Sequence, residues 1–225
     1  MTFYKFQILV ERIKFLSFAK IYNLFVNLIS FILSLFLNTT IKKGLPVSLS
    51  IEPVNFCNLK CPECPVGLGT IHRAKGQIDL SLYKKIIDEV KSHLISLSLY
   101  FQGEPFLNHN IFEMINYATS RGIYTIISSN AQLINIDLAK RIVDSSLNEL
   151  IISLDGATAG TYQKYRIGGD FAKVLDALTF IMKEKKTKGG IFTIIKQKFI
   201  VFKYNEQEIE LIRKIGNEMG VYETI

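Results

Sequence analysis

The chain predicts an α/β fold built on a parallel sheet, and three observations carry that reading. Apolar runs of strand length alternate with runs of helical period along most of the sequence. Short polar clusters recur at one place, just past the ends of the predicted strands. All three cysteines of the 225 residues lie in a single such cluster, Cys57-Asn58-Leu59-Lys60-Cys61-Pro62-Glu63-Cys64.

The first segment, residues 1–43, differs from the rest in composition. Residues 1–50 hold six basic side chains (Lys5, Arg12, Lys14, Lys20, Lys42, Lys43) against the one acid Glu11, which is +5 of the chain's net +7. Nucleic-acid binding would want a basic stripe across the folded domain, so no nucleic acid is expected. The uneven charge suits anionic lipid or an acidic partner instead. Residues 21–37 carry no charge, a length at the short edge for a membrane span. Asn23, Asn27, Ser30 and Ser34 form one helical stripe opposite Leu24, Phe25, Ile29, Ile32, Leu33 and Phe36. Three readings stay open: an amphipathic helix packed on the domain, an interfacial membrane helix, and a true span. No small-residue cleavage site follows the apolar run, so a cleaved secretory signal is not expected.

Residues 44–225 predict one domain. Residues 47–51 alternate as a strand that ends at the cysteine cluster. Asp79 caps a helix whose apolar positions are Leu82, Ile86, Ile87, Val90 and Leu94. A second strand, 95–101, ends in Gln102-Gly103-Glu104-Pro105. A helix over 111–121 closes at Gly122 and leads to a third strand, 123–127, and the cluster Ser128-Ser129-Asn130. A helix over 136–146 leads to a fourth strand, 149–154, ending at Asp155-Gly156. A long helix, 171–186, has a lysine-rich last turn before Gly189-Gly190. A fifth strand over 191–202, a helix over 206–219 and the start of a sixth strand at 221–225 complete the pattern. Right-handed crossovers then give parallel strands, in either an open doubly wound sheet or an incomplete barrel. In both, ligands collect at the strand C-termini, so the polar clusters converge on one mouth.

The cysteine spacing is C-x3-C-x2-C. An odd count in one tight cluster argues for metal and against a disulfide framework. Three thiolates leave one coordination position open, the layout of a reactive iron–sulfur site. A zinc site would want a fourth ligand, and His72 is the nearest histidine. An oxygen-sensitive cluster needs a reducing compartment. This places the protein in the cytoplasm, with residues 1–43 suited to peripheral contact at the inner face of the membrane.

Taken together these motifs resemble the radical S-adenosylmethionine (radical SAM) superfamily over roughly residues 47–225. The cysteine triplet matches the family signature, and Gly103-Glu104-Pro105 is similar to its glycine-glutamate-proline turn. Ile152-Ser153-Leu154-Asp155-Gly156 and Tyr165-Arg166 resemble segments of its peptide- and cofactor-modifying branches. The resemblance implies a partial (β/α)6 TIM-like barrel with the N-terminal amphipathic helical segment added. It implies that Cys57, Cys61 and Cys64 hold a [4Fe–4S] cluster whose open iron binds S-adenosylmethionine. Reductive cleavage then gives a 5′-deoxyadenosyl radical that abstracts hydrogen from the substrate. An electron donor such as flavodoxin or ferredoxin is implied as well.

The same resemblance distributes roles around the mouth. Gly103 lets a carbonyl approach the methionyl ammonium, Glu104 fixes that loop and Pro105 stiffens it. Ser128, Asn130, Ser153 and Asp155 hydrogen-bond ribose hydroxyls or methionyl groups, Arg166 pairs with the methionyl carboxylate, and Phe56 shields the cluster. Glu63 stands where the family often has an aromatic residue, and Gln102 where it usually has a first glycine. The cysteine-rich C-terminal extension usual in peptide-modifying members is missing, so the core is expected to be minimal or truncated. The substrate is not legible, with a peptide or protein as the preferred class. The alternative is a catalytically silent or truncated fragment that binds a partner or a membrane.

Overall fold

In the computed structural model, which describes residues 2–189 and 193–224, six strands form one sheet in their order along the chain. They are β1 (Ser48–Ser50), β2 (Ser96–Ser98), β3 (Tyr124–Ser129), β4 (Glu149–Ser153), β5 (Ile194–Lys198) and β6 (Tyr222–Thr224). Every neighbouring pair is parallel. A doubly wound sheet reverses its order at a switch point. This one never reverses, so all crossovers wind the same way and the sheet curls as part of a barrel.

The helices between the strands are α3 (Pro65–Leu68), α4 (Leu80–Val90), α5 (Ile111–Thr119), α6 (Ile136–Asp144), α7 (Ala159–Tyr165), α8 (Phe171–Lys188) and α9 (Ile209–Met219). Asp79 caps α4 as its sequence position predicts, accepting from Leu82 N at 2.9 Å. α3 and α7 escape the helical-period reading because each spans only one or two turns. α7 is set by its cap, where Thr158 Oγ1 accepts from Thr161 N.

The strands are shorter than their apolar runs. Residues 99–101 follow the run of β2 in sequence, but past Leu99 the chain leaves the ladder to build the mouth. The predicted start of the fifth strand, at 191 and 192, and the end of the sixth, at 225, lie outside the described residues.

Alternation along the strands separates two layers. Leu97, Ile127, Leu150 and Ile152 point outward and are buried against Ile87, Met114, Ile142, Leu178 and Ile181 from the helices. The opposite parity points inward, and at the N-terminal end of the barrel it is polar. There Glu149, buried, accepts from Lys196 Nζ at 2.6 Å, Tyr124 Oη at 3.2 Å and Arg12 Nη2 at 3.3 Å.

Arg12 belongs to the N-terminal pair of helices, α1 (Thr2–Ile13) and α2 (Phe18–Leu37). Between them Phe15 meets the Tyr124 ring edge-on at 5.5 Å. Lys20, buried at the first turn of α2, donates to Phe15 O and to Gly122 O just before β3. The segment is thereby rooted at the end of the barrel opposite the cysteines.

Candidate active site at the strand C-termini

The cysteine loop leaves β1 and crosses the top of the barrel. Its shape depends on two glycines that admit backbone where a side chain would not fit. A Cβ on Gly103 would lie 2.0 Å from Val54 O and 2.9 Å from Phe56 O, and one on Gly67 would lie 2.3 Å from Cys61 O. The loops after β1 and β2 are thus pressed together, and Glu104 N donates to Phe56 O at 3.0 Å, one residue before Cys57.

The Glu104 carboxylate, buried, reaches across to the end of β3. It accepts from Ser129 Oγ at 2.8 Å, Asn130 N at 2.9 Å and Phe106 N at 3.3 Å. Burial pushes this carboxyl above the ordinary glutamate range, against the pull of those three donors. Pro105 opens the short 3-10 turn, Pro105–Leu107, that follows. Ala131 holds φ at 62°, a left-handed conformation that costs a non-glycine residue about 1–2 kcal/mol. Ala131 N donates to Ser129 Oγ and Gln132 N to Asn130 Oδ1, both at 3.0 Å. That turn sends the Asn130 side chain back over the cysteines.

Asn130 Nδ2 donates to Asn58 Oδ1 at 2.8 Å and to Cys57 Sγ at 3.5 Å, and Leu59 N donates to the same sulfur at 3.4 Å. Arg166, at the end of α7, gives Nε to Asp155 Oδ2 at 2.5 Å and extends Nη1 to Cys61 Sγ at 3.8 Å. Asp155 Oδ1 takes Ile200 N at 2.7 Å, so both oxygens of this fully buried carboxylate are engaged. Cys64 Sγ lies 4.0 Å from Gln102 O. Burial pushes the Cys57 and Cys61 thiols up. The Leu59 N–H on the first and the Arg166 charge on the second pull the other way. Burial opposes the Arg166 charge too, but Asp155 and the Cys61 sulfur outweigh it and hold the guanidinium above its usual range.

A cavity of about 190 Å³ joins these parts, and all three cysteines line it. Gly103, Glu104, Ser128, Asn130, Ser153 and Arg166 are on its wall, while Asp155 and Pro105 stand behind it. Tyr100, Phe101, Tyr165 and Lys198 also line it, and the sequence alone assigns none of them a chemical role. Lys198 had a signal: Lys196-Gln197-Lys198 alternates within a central strand, which puts both lysines on a polar inner face. Outside the cavity, Tyr165 packs on Phe202 at 4.9 Å and Phe202 stacks on Tyr204 at 5.2 Å.

The donor set fits a cluster better than an ion. Among the described residues no three His, Cys, Asp or Glu side chains gather on one point as a single metal would require. A cubane takes its thiolates on separate irons, so it asks only that they surround one cavity. N–H donors and a guanidinium on the sulfurs are what an anionic thiolate cluster needs around it.

A parallel part-barrel with a three-cysteine mouth defines a cofactor-dependent enzyme scaffold. Residues 51–216 match the family model of the Radical SAM superfamily, and the chain belongs to that superfamily, whose members use a [4Fe–4S] cluster and S-adenosylmethionine. It is 29% identical over 175 residues to the mycofactocin maturase MftC of Mycobacterium ulcerans, covering 78% of this chain and 45% of that protein. It is 32% identical over 142 residues to the Fe-coproporphyrin III synthase of Methanosarcina barkeri, covering 63% and 35%. The fold is similar to SuiB of Streptococcus suis bound to S-adenosylmethionine, with a TM-score of 0.66 at 18% identity over 79% of this chain and 39% of that one. It is also similar to anSMEcpe with bound AdoMet, with a TM-score of 0.62 at 22% identity over 79% and 50%. The chain spans less than half the length of the curated relatives it matches.

Proposed function

We propose that this chain is the core of a radical S-adenosylmethionine enzyme, with Cys57, Cys61 and Cys64 as the cluster ligands. The observation that supports it most is that all three thiols line one cavity, two of them touched by a guanidinium or amide donor. When bound, the cluster and S-adenosylmethionine supply a one-electron cleavage that leaves a 5′-deoxyadenosyl radical.

The protein's part is to hold and shield. Asn130 and Leu59 N–H compensate charge on Cys57, and Arg166, oriented by Asp155, does so on Cys61. Gly103, Glu104 and Pro105 fix the loop that borders the cavity where the cluster would be held. Ser128 and Ser153 present hydroxyls to the polar groups of S-adenosylmethionine, and Lys198 adds a cation on the same wall. Tyr100, Phe101 and Tyr165 give the cavity an aromatic wall.

A one-electron donor of the flavodoxin or ferredoxin kind serves it. A peptide or protein is the substrate class we favour, since SuiB is recorded with its precursor peptide SuiA. We place the enzyme in the cytoplasm, with residues 1–43 as a peripheral segment touching the membrane.

Anaerobic assembly with iron and sulfide, then a reductant and S-adenosylmethionine, should release 5′-deoxyadenosine, and Cys57→Ala should abolish both cluster absorbance and release. Release retained in Cys57→Ala rejects the assignment. A fully loaded protein that releases none supports the alternative, a silent binding module.

A further inference from the structure

α2 wears its polarity inside out. The residues it covers are Lys20, Asn23 and Ser30, with Asn27 and Ser34 half-covered. These lie on one stripe, and Lys20 at its start ties that stripe to the barrel. The opposite stripe is Phe18, Tyr22, Phe25, Ile29, Ile32 and Phe36, all exposed, with Phe18 at 86% and Phe36 at 84%. A helix packed on a soluble domain shows the reverse arrangement.

The polar stripe is satisfied by the chain's own return segment. Ile41 N donates to Ser34 Oγ at 2.9 Å, Lys43 N to Ser30 Oγ at 3.3 Å and Leu45 N to Asn23 Oδ1 at 2.8 Å. Asn23 Nδ2 and Asn27 Nδ2 both donate to Leu45 O, at 2.9 Å and 3.0 Å. Alternate residues of an extended strap thus find their partners along one helix edge. The N–H groups of Ile41, Lys43 and Leu45 are thereby closed on the helix.

The charges sit on the same side as the strap. No Asp or Glu occurs between Glu11 and Glu52. Lys42 and Lys43, on the strap, are exposed and have no acidic partner among the described residues.

Resting on the peripheral placement proposed above, we infer that α2 lies flat in one leaflet of an anionic bilayer. Its Phe18–Phe36 stripe faces the acyl chains, and Lys42 and Lys43 lie at the phosphates. The helix is about 30 Å long at 1.5 Å per residue. That length runs along the surface and does not cross it, because the strap hydrogen-bonded back along the helix would otherwise carry Lys42 and Lys43 into hydrocarbon. The barrel then stands on its N-terminal end, where Lys20 meets Gly122. The cysteine mouth opens away from the lipid, toward water-borne substrate.

The chain contains no tryptophan, so a single introduced one reports alone. The full chain carrying Phe25→Trp or Phe36→Trp is mixed with phosphatidylcholine vesicles with and without phosphatidylglycerol, and with lipids brominated at graded acyl depths. Flotation with the anionic vesicles is expected, with both tryptophans quenched best at the same shallow depth. Removing both lysines (Lys42→Ala with Lys43→Ala) should lower partitioning about 30-fold. The double variant Phe25→Asp with Ile32→Asp should float no longer while keeping its circular dichroism, because both positions are exposed. Binding with Phe36→Trp much deeper than Phe25→Trp overturns the flat orientation and leaves peripheral contact standing. Absence of flotation overturns both, and so does self-association through α2 without vesicle binding. None of these readouts depends on a loaded cluster, so they fail independently of the enzymatic reading.

Discussion

Arg166 and Asp155 form a buried ion pair directly behind a cysteine. Nε lies 2.5 Å from Oδ2, and the side chains are 15% and 0% exposed. The other edge of the guanidinium reaches Cys61 Sγ. The pair is therefore two sides of a triangle whose third corner becomes anionic only when the thiolate is a ligand.

Asp155→Asn should accordingly cost more in the empty protein than in the loaded one. Removing one partner of a buried pair leaves an uncompensated charge, worth about 3–5 kcal/mol. Anionic ligands beside Arg166 restore part of that compensation after anaerobic loading. Chemical denaturation of both forms checks this, and a larger loss in the loaded protein would contradict the triangle.

Glu104 gives a pH dependence with a definite sign. Its folded carboxyl is held above the ordinary range by burial. The folded state thus binds this proton more tightly than the unfolded chain does. Stability from this site is full below the unfolded-state value and is lost as pH rises through the raised folded value. Glu104→Gln, which keeps the shape and cannot titrate, should flatten the fall in unfolding free energy over that window. An unchanged slope would mean that Glu104 titrates normally.

Gly103→Ala should disrupt the loop even though alanine is the smallest change available. The new Cβ would meet the Val54 carbonyl at 2.0 Å, and backbone cannot yield as a side-chain tip does. Overpacking of this kind costs typically about 1–3 kcal/mol. Here the displaced strand of chain leads into Cys57, so cluster absorbance per protein should fall with stability. Gly76→Ala is the control, since nothing lies within 4 Å of its Cβ. Equal cluster loading in the two variants would show that the close approach does not matter.

Local chemistry made most of this fold readable. Asp79 and Gly122 marked helix ends because capping and left-handed backbone need particular residues. The cysteine triplet was legible because residue type and spacing stand out together in one loop. Asp155 and Arg166 were each legible as mouth residues, but their pairing was not: they lie eleven residues apart across a helix that only the Thr158 cap announces. Ser129 was legible as part of a polar cluster, but its role was not, because its hydroxyl matters only once Glu104 is brought to it from another strand. The polar stripe of α2 was visible in sequence. What covers it was not, since a strap of ordinary composition (Thr40-Ile41-Lys42-Lys43-Gly44-Leu45) has no period of its own.

Asn130 offers a test of the site that does not require turnover. Its amide is the one side-chain donor the structure places on Cys57 Sγ among the described residues, at 3.5 Å. Donors on cluster sulfurs favour the more reduced, more negative state and so raise the potential. Asn130→Ala removes the donor and should lower the midpoint potential of the loaded protein. Asn130→Asp replaces it with a negative charge and should lower it further. Both variants keep the backbone N–H that Glu104 accepts, and Asn130→Asp also keeps an oxygen for Gln132 N, which Asn130→Ala loses. Outer-shell partners of this kind are also worth about 10–100-fold in metal affinity, so iron should be lost to a chelator faster in both variants than in the unaltered chain. A redox titration in which Asn130→Ala keeps the potential of the unaltered chain would mean that this amide does not act on the sulfur at all.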